Sequence, residues 1–169
     1  MTLHAATFPT PCGPFSVTVN ATGAVVATAF GDLTRLNQRI PAKCHLLGDT
    51  GSLVAPVKKQ VDAYFAGKLR DFTLSLAAEG TAFQKRVWTA LVAIPYGETR
   101  SYGQLAAALG NPGASRAIGR ANATNPICLI VPCHRVIGAD GSLTGFSFGE
   151  DIKRQLLAHE GALPAALFA

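Results

Sequence analysis

Cys133 and His134 stand side by side in Pro132-Cys133-His134-Arg135, a soft nucleophile next to the side chain most easily poised as a base near neutral pH. A free thiol is mostly protonated at that pH and the thiolate is the attacking species, so a basic partner must take its proton. Neighbours in sequence need not bring their side chains together, and a water between Cys133 and His134 is one route for the proton. The base in turn needs an acceptor to orient it. Glu160, arriving from the last helix, is the candidate, and Cys133, His134 and Glu160 then form a relay with the logic of a triad. Taken alone, a Cys after an apolar run reads as an inert buried thiol. Its place within Pro-Cys-His-Arg turns the reading to a nucleophile.

Such a relay has to be held by regular elements. The run Ile127-Cys128-Leu129-Ile130-Val131, bounded by Pro126 and Pro132, reads as a buried strand ending at a turn, with the Cys133 sulfur facing a cleft and Cys128 packed in the strand. Thr81-Ala82-Phe83-Gln84 is a capping box opening a helix with Phe83, Val87, Trp88, Leu91 and Ile94 on one face. Ser101-Tyr102-Gly103-Gln104 is a second box, opening a short helix that ends at Leu109-Gly110. Asn111 then caps a helix over 112–123 with Pro112 at its first position. This pair is a candidate helix-turn-helix. Its second helix is rich in Gly, Ala and Ser and carries Arg116 and Arg120. Small residues there suit close approach to a nucleic acid, and equally suit packing against a neighbouring helix. Glu150 to Glu160 reads as the last helix.

The first half has another character. Phe15 to Val19 and Val25 to Phe30 form a hairpin around the turn residues 20–23, Leu53 to Phe65 has helical spacing, and Phe72 to Leu76 alternates as a further strand. The expected fold class is α+β. A small strand-rich N-terminal domain, a sheet with helices, spans 1–78, and a mostly helical domain containing the helix-turn-helix spans 79–169.

Composition narrows the function classes. Of 169 residues 49% are hydrophobic and 15% charged, which argues for packed structure over disorder. A net charge of +5 favours polyanions without specifying one. The start of the chain lacks the pattern of a signal peptide, and no apolar stretch is long enough to span a membrane, so a cytoplasmic protein with unbridged cysteines is expected. Cys12, Cys44-His45 and His4 lack zinc-finger-like spacing, and no Gly-rich phosphate loop follows a strand. Neither a metal nor a cofactor is expected.

Asn125-Pro126, Pro132-Cys133-His134-Arg135 and Val136-Ile137-Gly138 together resemble the active site of the O6-alkylguanine-DNA alkyltransferases, the methylated-DNA–protein-cysteine methyltransferases. The likeness extends from Thr81 to Gly161 through Ile94-Pro95-Tyr96-Gly97, Ser101-Tyr102, Leu109-Gly110-Asn111-Pro112, Ser115-Arg116-Ala117-Ile118-Gly119 and Leu157-Ala158-His159-Glu160-Gly161. Before Gly80 it rests chiefly on Tyr64-Phe65-Ala66-Gly67. The resemblance implies irreversible, stoichiometric transfer of an alkyl group from O6 of guanine, and less so from O4 of thymine, to Cys133 in double-stranded DNA. His134 and Glu160 would activate the thiol through a water, and Asn125 would brace the turn carrying it. The base would be flipped from the minor-groove side, with Arg116 filling the vacated stack and Tyr102 turning the phosphate and protonating the guanine ring. Ser115, Arg120 and Arg135 complete the implied DNA contacts, and Ser147, Phe146, Phe148 and Val136 the substrate pocket. A monomer is expected, with several molecules able to share one DNA.

Two positions depart from the family pattern: many relatives carry Tyr in place of Phe146, and Gly or Trp in place of Phe148. Loss of the hydroxyl keeps stacking on the base, while a bulky Phe148 narrows the pocket. Three rival readings remain. A lesion-binding relative would lack the cysteine, a cysteine hydrolase would bring Cys and His from distant positions, and a regulator would need a second module that 169 residues do not show.

Overall fold

The computed structural model describes residues 2–41, 44–48 and 52–163. The chain divides into two units, Met1–Glu79 with Pro126–Ile130, and Gly80–Asn125 with Val131–Ala169. The first is a sheet with helices and the second is mostly helical, so the architecture is α+β.

In the first unit, β1 (Thr2–Thr10), β2 (Gly13–Val19), β3 (Val25–Phe30) and β4 (His45–Gly48) form one sheet in the order β3-β2-β1-β4. The β1–β2 and β2–β3 pairs are antiparallel and the β1–β4 pair is parallel. Register sets Phe8 opposite Phe15 and Phe15 opposite Phe30, and the rings meet at 5.8 and 4.9 Å between centroids. β1 has no counterpart in the sequence reading, because Ala5, Ala6 and Pro9 are poor strand formers and pairing on both sides creates the strand. α1 (Leu33–Asn37) is capped by the Asp32 carboxylate, and α2 (Ala55–Phe65) buries Val57, Val61 and Tyr64. The strand expected over 72–76 is reduced to one bridge between Leu76 and Val25. Its backbone is diverted: the Gln60 side chain accepts from the Thr73 N–H at 2.9 Å, and Phe72 stacks on Tyr64 at 5.5 Å.

The strand expected over 127–131 is also corrected. Ile127 makes a single bridge to Thr28, whose hydroxyl donates to the Cys128 carbonyl at 2.8 Å. Leu129 then turns left-handed at φ 71°, which no strand continues and which costs a residue with a Cβ about 1–2 kcal/mol. The Ile130 N–H bonds back to the Cys128 carbonyl at 2.9 Å. The segment is a buried turn.

In the second unit both capping boxes form as expected, Thr81/Gln84 on α3 (Ala82–Val92) and Ser101/Gln104 on α4 (Tyr102–Ala108); such a cap is worth about 1 kcal/mol. α5 is Ser115–Ala123, shorter than the expected 112–123. Asn111 does not cap it. The Ala114 N–H bonds to the Asn111 carbonyl at 3.0 Å, so residues 111–114 form a turn between α4 and α5. Trp88 Nε1 donates to the Ala121 carbonyl at 2.8 Å and fixes α3 against α5. A 3₁₀ turn (Cys133–Arg135), a two-residue parallel ladder of β5 (Arg100–Ser101) with β6 (Val136–Ile137), and α6 (Glu150–His159) complete the unit.

Candidate active site

Cys133 opens the 3₁₀ turn and is 5% exposed. Two asparagine amides clamp the backbone around it. Asn125 Nδ2 donates to the Val131 carbonyl at 3.0 Å, and Asn122 Nδ2 donates to the Cys133 carbonyl at 3.3 Å. The Cys133 N–H bonds to the Val131 carbonyl at 2.7 Å, and the Cys133 carbonyl also accepts from the Val136 N–H. The Cys133 backbone is therefore fixed on both sides.

His134 is completely buried, and its Nε2 lies 2.8 Å from Glu160 Oε2. Burial is the largest influence on the ring and pushes its pKa down; Arg135 and Lys153 push the same way, while Glu160 opposes them. The neutral ring then carries its proton on Nε2, toward the carboxylate, and leaves Nδ1 as the acceptor. Nδ1 is buried and has no partner among the described residues.

Glu160, at the C-terminal end of α6, is held from its other side by Arg135. Nε donates to Oε1 at 2.8 Å and Nη2 to Oε2 at 3.1 Å, while Nη1 reaches the Ile94 carbonyl at 2.7 Å. The guanidinium sits over the Tyr96 ring at 5.7 Å, and Tyr96 donates to the His159 carbonyl at 3.3 Å. Lys153, on the buried face of α6, donates to the Val136 and Thr144 carbonyls. Desolvation pulls its pKa down to about 8, against the attraction of Cys133 and Glu150. A buried cation thus neighbours Cys133.

Tyr102, the first residue of α4, donates to the Thr144 carbonyl at 3.2 Å. Burial and the negative charge of Cys133 raise its pKa, and the Asn122 side chain lowers it. Its hydroxyl is crowded by Gly145, where an added Cβ would lie 2.5 Å away. On α5, Arg116 and Arg120 are exposed and Ser115 is half-buried. Ser147 is exposed and donates to the Ala123 carbonyl at 3.0 Å. The Phe146 and Phe148 rings meet edge to face at 5.6 Å.

Known proteins bear on this arrangement directly. The family described as 6-O-methylguanine DNA methyltransferase matches twice, by its ribonuclease-like domain over residues 3–78 and its DNA binding domain over residues 82–162. A methylated-DNA–protein-cysteine methyltransferase of Mycobacterium tuberculosis is 48% identical over 159 residues, which is 94% of this chain and 92% of that protein. The chain belongs to the 6-O-methylguanine DNA methyltransferase family. A Methanosarcina acetivorans protein with the same description is 62% identical over 104 residues, covering 62% of this chain and 67% of its own. The crystal structure of Mycobacterium tuberculosis OGT in complex with DNA superposes with a TM-score of 0.83 at 44% identity, covering 97% of each chain.

For a member of this family, the structure gathers Cys133, His134, Glu160, Tyr102 and Asn125 in one unit. One expected DNA contact lies inward. Arg135 is 5% exposed and directs Nε and Nη2 to Glu160 and Nη1 to the Ile94 carbonyl. Val136 is fully buried beneath the site and presents its carbonyl to Lys153. Sequence reasoning missed Asn122, Lys153, Tyr96 and Gly145. Helical spacing held a signal for two of them: Lys153 lies two turns before Glu160 on one face of α6, and Asn122 lies three residues before Asn125. No helix among the described residues is long and apolar enough to cross a membrane.

Proposed function

We propose that Cys133 is the alkyl acceptor in direct repair of O6-alkylguanine, activated through His134 and Glu160. Family membership gives the outline: DNA is the partner, and an alkyl group passes from it to a protein cysteine. The observation that carries the finer reading is the buried His134, with Nε2 committed to Glu160 and Nδ1 left as an acceptor one residue from the thiol.

The Cys133 proton passes through a water to Nδ1, and Glu160 steadies the imidazolium against the burial and the cations that disfavour it. The thiolate attacks the alkyl carbon, an S–C bond forms and the C–O6 bond breaks. The electron pair goes to the guanine, which takes a proton on its ring from Tyr102 and leaves as the normal base. The product is a thioether that neither water nor cellular thiols reverse. Each molecule therefore acts once.

The lesion must leave the stack, at a cost of a few kcal/mol. Arg116 fills the gap from α5 on the minor-groove side, Ser115 and Arg120 contact the adjoining backbone, and Tyr102 crowds the phosphate. Readout is then of the lesion in its pocket more than of sequence. Asn125 braces the turn, Ser147 bonds the O6 atom, and Phe146 stacks on the base. O4-methylthymine is a slower substrate. Residues 79–169 carry the activity and 1–78 support the fold. The protein works in the cytoplasm as a monomer, several of which can share one DNA.

The test is intact-protein mass after incubation with duplex DNA carrying O6-methylguanine, beside Cys133→Ala. A gain of one methylene, mapped to Cys133 and absent from the variant, is the expected result; DNA binding without any gain would leave a lesion sensor. Phe148 narrows the pocket, so O6-benzylguanine reacts poorly and Phe148→Gly reacts faster. Equal benzyl transfer by the two proteins would remove Phe148 from the pocket.

A further inference from the structure

The segment Ile94-Pro95-Tyr96-Gly97 follows α3 and has no part in the relay, yet three of its four residues bear on Glu160. The Ile94 carbonyl accepts from Arg135 Nη1 at 2.7 Å, and the Tyr96 ring lies 5.7 Å from the guanidinium carbon. The Tyr96 hydroxyl donates to the His159 carbonyl at 3.3 Å, one of the carbonyls that a helix leaves open in its last turn. Gly97 has φ 84°, and a Cβ there would lie 3.2 Å from the Glu160 carbonyl oxygen. The turn thus needs glycine for its left-handed backbone and for this close approach. It holds the Glu160 backbone directly and the Glu160 side chain through Arg135. Arg135 gives Nε to Oε1 at 2.8 Å and Nη2 to Oε2 at 3.1 Å, a planar fork that lysine cannot reproduce. The fork fixes the carboxylate with Oε2 at 2.8 Å from His134 Nε2.

We propose that Arg135, seated on the turn from Ile94 to Gly97, is a positioning residue for alkyl transfer, aiming Glu160 Oε2 at His134 so that the Cys133 proton is received at Nδ1. The proposal rests on the reading of His134 and Glu160 as the relay that activates Cys133. Geometry supplies half of the role. With Oε2 on the Nε2 proton, the ring presents Nδ1 as its acceptor, and a carboxylate free to rotate would let the other tautomer form. Charge supplies the other half. The groups that act on His134, beside the adjacent Cys133, are Glu160 and Lys153 from α6 and Arg135 from its own turn. Glu160 favours the imidazolium, whereas Arg135 and Lys153 oppose it. Without the Arg135 cation, the buried carboxylate would draw a proton onto the ring before Cys133 gives one up. A ring already charged cannot act as a base. Arg135 thus offsets the same anion that it aims.

The experiment compares wild type, Arg135→Lys, Arg135→Met and Glu160→Gln as full chains. Single-turnover methylation of Cys133 by duplex DNA carrying O6-methylguanine is followed by intact mass across pH. His134 is titrated by ¹⁵N NMR of its ring nitrogens in the DNA-free protein. Arg135→Lys keeps the charge and loses the fork, so transfer is expected to slow about tenfold at the plateau of the profile, with the His134 titration near that of wild type. Arg135→Met loses both, so the acid limb of its profile and its His134 titration are expected to move together to higher pH. An arginine that only packed the fold would leave that titration in place. Wild-type rates in Arg135→Lys, or an unmoved titration in Arg135→Met, would overturn the proposal. If Arg135→Met does not fold, the plateau rate of Arg135→Lys decides alone. Glu160→Gln transferring as fast as wild type would defeat the relay itself, a failure distinct from that of Arg135.

Discussion

The cluster around Glu160 and the outer face of α5 handle charge in opposite ways. The His134 and Glu160 side chains are 0% exposed and that of Arg135 is 7% exposed, so each lost its water on folding, and Glu160 and Arg135 keep their ionic forms only through directed partners. Arg116 and Arg120 are exposed on α5 and keep their hydration. Coulomb interactions are several-fold stronger in the first setting than in the second, and salt screens only the second effectively. On the proposed mechanism the contrast is a division of labour. Proton movement requires groups that cannot rearrange, whereas seizing a polyanion requires cations that can.

The largest effect belongs to the buried side. Glu160→Gln leaves Arg135 without its counter-ion and His134 without its anion. Breaking a buried pair in this way costs about 3–5 kcal/mol, and loss of the base's support slows transfer by about 10²- to 10⁴-fold. Urea unfolding and single-turnover mass measurements check the two numbers. A stability loss below about 1 kcal/mol, the range of exposed pairs, would erase the contrast.

Lys153 sharpens it. Its folded pKa of about 8 lies below the ordinary lysine value of 10.5, so between those pH values the unfolded chain holds more protons than the folded one. Stability then rises with pH across that window, by about 1–3 kcal/mol. Lys153→Met, measured by urea unfolding at pH 8 and pH 10.5, should lose that rise. A variant with the same pH dependence as wild type would mean that Lys153 is hydrated.

The smallest effect belongs to α5. Arg120→Ala is expected to flatten the dependence of log K for duplex DNA on log salt by about 0.9, with Cys133 chemistry at saturating DNA unchanged. Glu160→Gln should leave that slope alone. A slope that responds to Glu160 and ignores Arg120 would invert the assignment of the two regions.

Much of this was legible where chemistry and local geometry are contiguous in the chain. Cys133 and His134 are adjacent, and each capping box spans four residues, so the local order of residues reveals them. Legibility failed where distant partners decide the conformation. Residues 127–131 read as a strand because five apolar residues carry no mark of the left-handed Leu129. Phe72 to Leu76 alternates, yet Gln60 takes the backbone donor that a ladder would need. Arg135 stood among the DNA contacts through the resemblance, and nothing local in Pro132-Cys133-His134-Arg135 foretells that Glu160 arrives from α6 to take its donors. Asn122 and Lys153 were hidden in helical segments where a polar residue is ordinarily on the outside.

The turn at Cys128 also has a kinetic meaning. Thr28 donates to the Cys128 carbonyl across 100 positions of chain, and closing a loop of that length costs about 4 kcal/mol of chain entropy. Contacts so distant in sequence form slowly, and this one belongs to the segment leading into Pro132 and Cys133. Helices α3 and α4, with their local caps, can fold early. Amide protection during refolding is therefore expected to reach α3 and α4 before it reaches residues 126–130.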